Sequence, residues 1–318
     1  MSGEVVVAPR RGVVDRPRSG LRRWFRKHAF EIALVTPLVV YVLVLTLAPI
    51  VDTIRLSLSG PRGGQFPSVE TYRDVLDQQV FRTAIKNTVI VALLSLALEL
   101  SIGLAVALTL NATFRFRGLV RTLVLVPLGV PTIVSGAVML LIFSRSGYLN
   151  SLLFWVSDVV NVVPGIEWEF QPLAWTVAGG WRTLFTIAIA DMWKVLPVIT
   201  LIFLAGLQSI PDDVYEAAAV DGATKWQRFS RITLPMLVPF ITMALILRAI
   251  DAFRIFELAL VLAGRIEPVL STYIADRYLP PTNDPFTAAA GAVVLFALIM
   301  VFIVAYLRFV ARRVETAR

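Results

Sequence analysis

Three long, charge-free apolar segments limit what this chain can fold into. They are residues 32–51, 122–144 and 286–307, which contain 20, 23 and 22 residues. A helix needs about 20 predominantly apolar residues to cross the hydrocarbon core of a bilayer, so each segment is long enough. In the whole chain 57% of the residues are hydrophobic, whereas soluble domains usually have about 45–50%. The sequence therefore predicts an integral membrane protein.

Three further segments are apolar but carry isolated charges, so they are weaker candidates for membrane helices. With them, we predict an all-α integral membrane protein with about six transmembrane helices. The expected spans are residues 32–51, 87–110, 119–143, 184–208, 236–263 and 286–307. A basic tail of residues 1–29 precedes the transmembrane domain of residues 30–310, and a short tail of residues 311–318 follows it.

The distribution of positive charge predicts how the chain is oriented. A formal net charge of +8 is compatible with nucleic-acid binding, but Lys and Arg also accumulate on the cytoplasmic side of membrane proteins. With six spans and an internal N-terminus, 17 Lys and Arg residues fall in internal segments and 9 in external ones. This bias places both termini and residues 209–235 in the cytoplasm and argues against a nucleic-acid partner.

The basic N-terminal tail has two interpretations. It is a tail that flanks the first span with positive charge, or residues 21–30 form a helix lying on anionic lipid. The apolar segment that follows is too long for a cleavable signal peptide.

Residue types that support catalysis are scarce. The chain has no cysteine and a single histidine, His28, in the basic tail. We therefore expect no disulfide, no metal site and no catalytic residues in this chain. It also has no G-x-x-x-x-G-K-[ST] phosphate loop, so any energy from ATP must come from another subunit.

The polar segment at residues 209–235 has the pattern of a helix–turn–helix. Residues 214–220 are rich in alanine, which favours a helix. Asp221 and Gly222 form a turn dipeptide, and Asp221 or Thr224 is a candidate cap for a second short helix. Pro235 is expected to limit how far that helix continues upstream of the fifth span. The sequence predicts a compact, rigid hairpin between the fourth and fifth spans.

This hairpin resembles the EAA loop of permease subunits in binding-protein-dependent, ATP-driven importers. The sugar-permease branch of that family has the pattern G-L-x-x-I-P…Y-E-A-A-x-x-D-G-A-x-x-W-x-x-F-x-x-I-x-L-P. The chain matches this pattern at Gly206, Leu207, Ile210, Pro211, Tyr215, Glu216, Ala217, Ala218, Asp221, Gly222, Ala223, Trp226, Phe229, Ile232, Leu234 and Pro235.

The resemblance implies a type I ABC importer permease fold in the plasma (inner) membrane of a prokaryote. The implied partners are a second homologous permease, two ATPase subunits that hold ATP and Mg, and an external solute-binding protein or lipoprotein. The hairpin would couple ATP hydrolysis on those subunits to alternating access, with Glu216 as its polar anchor and Gly222 as its turn. The chain itself would not be an enzyme.

The chain is similar to the compact first permease of disaccharide importers, including trehalose and maltose types. The resemblance implies a carbohydrate substrate, a disaccharide such as trehalose or maltose or a small glycoside. Trp193, Lys194 and Pro197 match the W-K-x-x-P pattern of the family. The chain departs from the family after Gly264, where residues 265–268 replace the usual Gly-Gly-Pro run. That departure affects the expected contacts of an external loop.

Ionisable residues inside predicted spans are costly and are functional candidates by default. On the fifth span, charges of alternating sign recur every three residues, so neighbours are expected to pair along one stripe. The candidate substrate path comprises Glu99, Asp191, Trp193, Lys194, Arg248, Asp251, Phe253, Arg254, Phe256 and Glu257. Two interpretations are open: a pore lining that binds sugar hydroxyl groups and stacks on sugar rings, or a self-neutralising network that packs the spans together.

Other functions stay open at this stage. A permease for glycerol-phosphate-type solutes would share the same hairpin pattern. An ion-coupled secondary carrier would use Glu99 or Asp191 and would not need Gly222. A membrane-embedded enzyme would have to rely on carboxylates alone.

Overall fold

The computed structural model describes residues 24–25, 27–162, 168–176 and 179–316. Most of the basic tail at residues 1–29, including part of the helix considered as an alternative at residues 21–30, lies outside these residues. So do the last two residues of the tail at residues 311–318. Across the described ranges the chain forms helices and no β-strands.

The chain divides into two compact units, residues 1–52 and residues 53–318. The helix α1 (Ala29–Ser57) begins in the first unit, and its last turn belongs to the second. The second unit holds the other long helices and every site considered below.

Twelve further α-helices follow α1 among the described residues. They are α2 (Glu70–Asp77), α3 (Gln79–Asn111), α4 (Arg117–Leu125), α5 (Thr132–Phe143), α6 (Tyr148–Val160), α7 (Gly180–Gln208), α8 (Asp212–Val220), α9 (Lys225–Arg228), α10 (Leu234–Phe253), α11 (Glu257–Ala263), α12 (Leu270–Tyr278) and α13 (Pro285–Thr316). Among the described residues, six helical stretches are long and apolar enough to cross a membrane: Ala29–Ser57, Gln79–Asn111, Thr132–Val160, Gly180–Gln208, Lys225–Phe253 and Pro285–Val310. The predicted all-α class and the count of six are confirmed.

Helices α3, α7 and α10 form the centre of the second unit. One buried cluster joins all three through side chains that include Leu110, Phe203 and Leu237. Two glycines let the backbones approach closely. A Cβ atom on Gly103 would lie 2.5 Å from Cγ2 of Ile199, and one on Gly206 would lie 2.7 Å from Cδ2 of Leu237. These three helices are therefore packed without room for a larger side chain at those contacts.

Two of the predicted spans are interrupted in the structure, and the third long stretch, Thr132–Val160, begins 13 residues after the start of the predicted span 119–143. Within residues 119–143, α4 passes into a 3-10 turn at Val126–Gly129, and α5 begins only after Pro131. Within residues 236–263, α10 ends at Phe253 and α11 begins at Glu257. The first interruption contains Pro127 and Pro131, which cannot donate backbone hydrogen bonds; the second has no proline.

The expectation that Pro235 limits the upstream helix is wrong. Helix α9 continues through a π-helical segment, Phe229–Thr233, directly into α10. A π-helical turn changes the hydrogen-bond register by one residue, and this one lies just before the proline that lacks an N–H. The helix is therefore continuous across Pro235.

Candidate functional site

The polar hairpin between α7 and α10 is a compact structure with satisfied ends. Helix α8 ends in a Schellman motif, in which the N–H of Ala223 donates to the Ala218 carbonyl at 2.9 Å and the N–H of Gly222 donates to the Ala219 carbonyl at 3.1 Å. Gly222 has φ of +77°, a conformation that favours glycine. The predicted turn at this dipeptide is therefore present in the structure.

The second helix of the hairpin is capped by Thr224. Its Oγ1 accepts from the N–H of Gln227 at 3.3 Å, and Oε1 of Gln227 accepts from the N–H of Thr224 at 2.7 Å. This is a reciprocal capping box. Of the two candidate caps, Thr224 is the one the structure uses.

One side-chain contact ties the hairpin to the base of the fifth span. The hydroxyl of Tyr215 lies 3.0 Å from Oγ1 of Thr233, within hydrogen-bond distance. Sequence analysis did not identify Thr233, because the two residues are 18 positions apart and lie on different helices. The contact fastens α8 against the π-helical segment that leads into α10.

The outer surface of the hairpin is exposed and partly apolar. Val220 is 88% exposed and Trp226 is 72% exposed. Glu216, Ala217 and Asp221 are exposed as well, and a Cβ atom added at Gly222 would meet no neighbouring heavy atom within 4 Å. Of the other residues matched to the family pattern here, Ala218, Ala223 and Phe229 are half-buried and Pro235 is exposed. A rigid hairpin with an uncovered apolar tip has the character of an interaction surface.

A buried ion network connects α3, α7 and α10 inside the apolar core. Arg248 donates through Nε and Nη2 to the two carboxylate oxygens of Glu99, at 2.9 Å each. Its Nη2 also donates to Oδ2 of Asp191 at 3.0 Å. The side chains of Glu99, Arg248 and Asp191 are 0%, 4% and 9% exposed. The guanidinium group of Arg248 is therefore the shared hydrogen-bond donor of two buried carboxylates.

The network has an exposed edge at the end of α10. Asp251 accepts from Nη1 of Arg248 at 3.3 Å and from Nη2 of Arg254 at 3.0 Å. The side chains of Asp251 and Arg254 are 44% and 64% exposed. Counting both ends, three carboxylates share two guanidinium groups.

The expected stripe of alternating charges does not extend to Glu257. Helix α10 ends at Phe253, so Glu257 lies beyond the interruption, at the start of α11. It is exposed and has no ion pair within the part of the chain that the structure describes. Pairing at a three-residue spacing requires an unbroken helix, which ends too early here.

The remaining candidates of the substrate path separate into different surroundings. Phe253 is buried and packs against Phe302, with ring centroids 5.3 Å apart. Phe256 is 36% exposed and borders a cleft of about 300 Å³. Trp193 is half-buried and packs against an apolar cluster. Lys194 donates to backbone carbonyls in the interrupted third span.

A further polar contact lies where the chain departs from the expected family pattern. Asn87 of α3 donates through Nδ2 to Oε2 of Glu267 at 2.9 Å and to the Pro268 carbonyl at 3.0 Å. The other oxygen of Glu267 accepts from the N–H of Gly180, the first residue of α7. Sequence analysis missed this link, since its partners are 87 and 180 residues apart.

Comparison with known proteins identifies the family. Residues 99–316 match the family described as the binding-protein-dependent transport system inner membrane component. The chain belongs to this family. It is therefore a permease subunit of an ABC importer, a transport component rather than a catalytic one, and a multi-pass protein of the plasma (inner) membrane. The match spans the ion network and the hairpin.

Two curated relatives are similar over most of their length. The trehalose/maltose transport system permease protein MalF of Thermococcus litoralis is 35% identical over 290 residues, which cover 89% of this chain and 94% of the relative. The trehalose transport system permease protein SugA of Mycobacterium tuberculosis is 34% identical over 253 residues, covering 78% and 76%.

A solved structure shares the fold. It is a chain of a bacterial alginate ABC transporter in complex with an alginate pentasaccharide-bound periplasmic protein. The TM-score is 0.76 at 24% sequence identity, covering 92% of this chain and 98% of that chain. The type I ABC importer permease fold expected from the sequence is confirmed.

Proposed function

We propose that this permease imports a disaccharide such as trehalose or maltose, or a small glycoside, by alternating access. The hairpin of α8 and α9 would couple its movement to ATP hydrolysis on partner ATPase subunits. The observation that carries the coupling role is the rigid, exposed hairpin between α7 and α10. The carbohydrate is supported by the names of the two relatives.

The hairpin suits a partner that has a cleft. Its helices are fixed at their ends by the Schellman motif and the capping box, so it keeps its shape when pushed. Its tip presents Val220 and Trp226 to the surroundings, with Glu216 and Asp221 beside them. Aromatic side chains are enriched at the centres of protein interfaces. An ATPase surface with an apolar cleft and a basic rim would complement this tip.

Movement of the hairpin would be passed to two spans. Helix α7 ends at Gln208, two residues after Gly206, where α7 and α10 are in close contact. It enters α10 through the π-helical segment, and Tyr215 is fastened to that segment at Thr233. When two ATPase subunits close around ATP and Mg, α7 and α10 would tilt together, and the access of the pore would change sides.

The orientation follows from this role. Since ATPase subunits are cytoplasmic, the hairpin and both termini face the cytoplasm, which agrees with the bias of Lys and Arg. The complete importer would contain a second homologous permease and two ATPase subunits. An external solute-binding protein or lipoprotein would deliver the sugar.

The accessible members of the substrate path are the best candidates for contact with the sugar. Asp251, Arg254, Phe256 and Glu257 are exposed to different degrees around the end of α10. They combine hydrogen-bonding groups with an aromatic ring. Glu99, Arg248 and Asp191 would hold this edge in place from inside the packed core.

Two substitutions at Gly222 test the coupling role. Gly222→Trp adds bulk at the tip of the hairpin, where the chain itself leaves open space. Gly222→Asn is the matched control, because asparagine tolerates positive φ better than other residues do. The assay is ATP-driven uptake of radiolabelled trehalose and maltose into proteoliposomes that contain the complete importer.

We expect Gly222→Asn to retain most of the uptake and Gly222→Trp to lose it while the permease remains folded. Equal uptake by the two variants would refute docking of the tip. Uptake of neither sugar by the unmodified importer would refute the substrate and leave the coupling test to be read from ATPase activity stimulated by the binding protein.

A further inference from the structure

The interruption between α4 and α5, within the predicted third span of residues 119–143, breaks the regular hydrogen bonding of an α-helix. The Pro127 carbonyl still accepts from the N–H of Val130 at 3.3 Å. Helix α4 ends at Leu125, the 3-10 turn covers Val126–Gly129, and α5 starts at Thr132. Pro127 and Pro131 lack the N–H that would continue the helical hydrogen bonds. In a membrane, carbonyls at such an interruption need partners from the protein, since lipid provides none.

The ammonium group of Lys194 donates to three carbonyls of this stretch. Its Nζ donates to the carbonyl of Pro127 at 2.9 Å, to that of Leu128 at 3.5 Å and to that of Val130. An ammonium group has three N–H donors and accepts no hydrogen bond. All three donors are therefore directed at one short stretch of unwound backbone, which forms a cradle for a cation.

The ion network has three carboxylates for two guanidinium groups, so charge balance is an alternative role for Lys194. Asp191 lies one helical turn away on α7, so the lysine could balance its charge. The geometry favours the backbone cradle. Lys194 has no ion pair within the described ranges, whereas Asp191 is paired with Arg248.

We infer that Lys194 is a positioning residue. Its ammonium group occupies the cradle formed by these three carbonyls and so fastens the interrupted third span to α7. The effect of this contact on transport rests on the proposed coupling role of the hairpin. Helix α7 continues into the coupling hairpin, so a third span fastened at Lys194 follows the hairpin. Without the ammonium group, α7 would move but the third span would not move with it.

Lys194→Gln and Lys194→Met separate the two roles. Both side chains are unbranched and uncharged, but the glutamine amide can donate two hydrogen bonds to the carbonyls and methionine none. If Lys194 binds this backbone, the amount of folded permease and the uptake per folded permease should both decrease in the order Lys, Gln, Met at position 194. Methionine should fall at least about tenfold below lysine, since unsatisfied buried polar groups are costly. Lys86→Met, at an exposed position of α3, is the matched control and should behave like the unmodified protein.

Folded permease is measured by size-exclusion chromatography of the importer purified in mild detergent, and uptake in proteoliposomes made from the same samples. Equal behaviour of the Gln and Met variants would overturn the cradle. Recovery of Lys194→Met by Asp191→Asn would also overturn it and establish charge balance instead. The detergent measurement needs no transported sugar, so it decides the role of Lys194 even if the proposed substrate is wrong.

Discussion

Removal of the Arg248 side chain should damage this permease far more than removal of Arg254. In Arg248→Met, the apolar side chain keeps much of the packing volume but leaves the carboxylates of Glu99 and Asp191 without their guanidinium partner. Both carboxylates are buried, with 0% and 9% of their side chains exposed. In Arg254→Met, the lost partner is 64% exposed and Asp251 keeps its contact with Arg248.

The size of the difference follows from this burial. Breaking a buried ion pair by removing one partner costs about 3–5 kcal/mol, whereas an exposed pair contributes about 0–1 kcal/mol. We therefore expect the two variants to differ by at least about 2 kcal/mol in the free energy of unfolding, which exceeds a tenfold change in the ratio of folded to unfolded protein. A variant that combines Arg248→Met with Glu99→Gln and Asp191→Asn removes the stranded charges and should recover much of the loss.

The assay is the fraction of tagged permease that stays monodisperse in detergent after heating through a series of temperatures, with the partner subunits co-expressed. We expect Arg254→Met to resemble the unmodified protein, Arg248→Met to aggregate at much lower temperatures, and the triple variant to lie between them. If Arg248→Met were as stable as Arg254→Met, the buried network would contribute no net stability and the reasoning from burial would be refuted.

Two other predictions concern backbone packing and the hairpin. Gly103→Val should lower the stability of the permease by about 1–3 kcal/mol, because its Cβ would lie 2.5 Å from Ile199. Gly118→Val is the control in the same heating assay, because a Cβ atom added there would meet no neighbouring atom within 4 Å. Equal stability of the two variants would contradict the packing at Gly103. Thr224→Ala should destabilise the hairpin by about 1 kcal/mol through loss of its cap. It should reduce ATPase activity stimulated by the binding protein more than the amount of folded permease, and a proportional loss of both would contradict a coupling role.

Local signals in the sequence were sufficient for the number of long helices and for the turn of the hairpin, but not for the two interruptions of the spans. Apolar length predicted the six long helices, and the Asp221-Gly222 dipeptide predicted a turn that the structure builds with a positive φ at Gly222. Both depend on residues that are close in sequence. The continuous helix across Pro235 was mispredicted because the π-helical register shift that accommodates the proline has no simple composition signal.

The organisation of the charges depended on contacts that the sequence does not encode locally. Arg248 and Glu99 are 149 residues apart, so their pairing arises from the packing of α3 against α10. The three-residue spacing correctly suggested the contacts of Arg248 and Arg254 with Asp251, because α10 is helical as far as Phe253. It failed for Glu257 because the end of α10 was not visible in the sequence. The partners of Lys194 are backbone carbonyls. Every residue carries a carbonyl, so the sequence alone does not distinguish Lys194 from the other ionisable residues of the spans.

Helix α7 is fastened on both sides of the point where it would most readily bend. Pro197 lies within α7 and is buried, and a proline inside a helix removes one hydrogen bond and favours a kink. On one side of it, Gly206 brings α7 against α10 next to the hairpin; on the other, Asp191 is paired with Arg248 of α10. The two contacts are 15 residues apart, or about 22 Å along the helix. A push on the hairpin that bent α7 at Pro197 would have to break one of them, whereas a tilt of α7 and α10 together would break neither. In the proposed coupling, the pairing of these two helices thus directs the force from the ATPase into a movement of the whole helix pair.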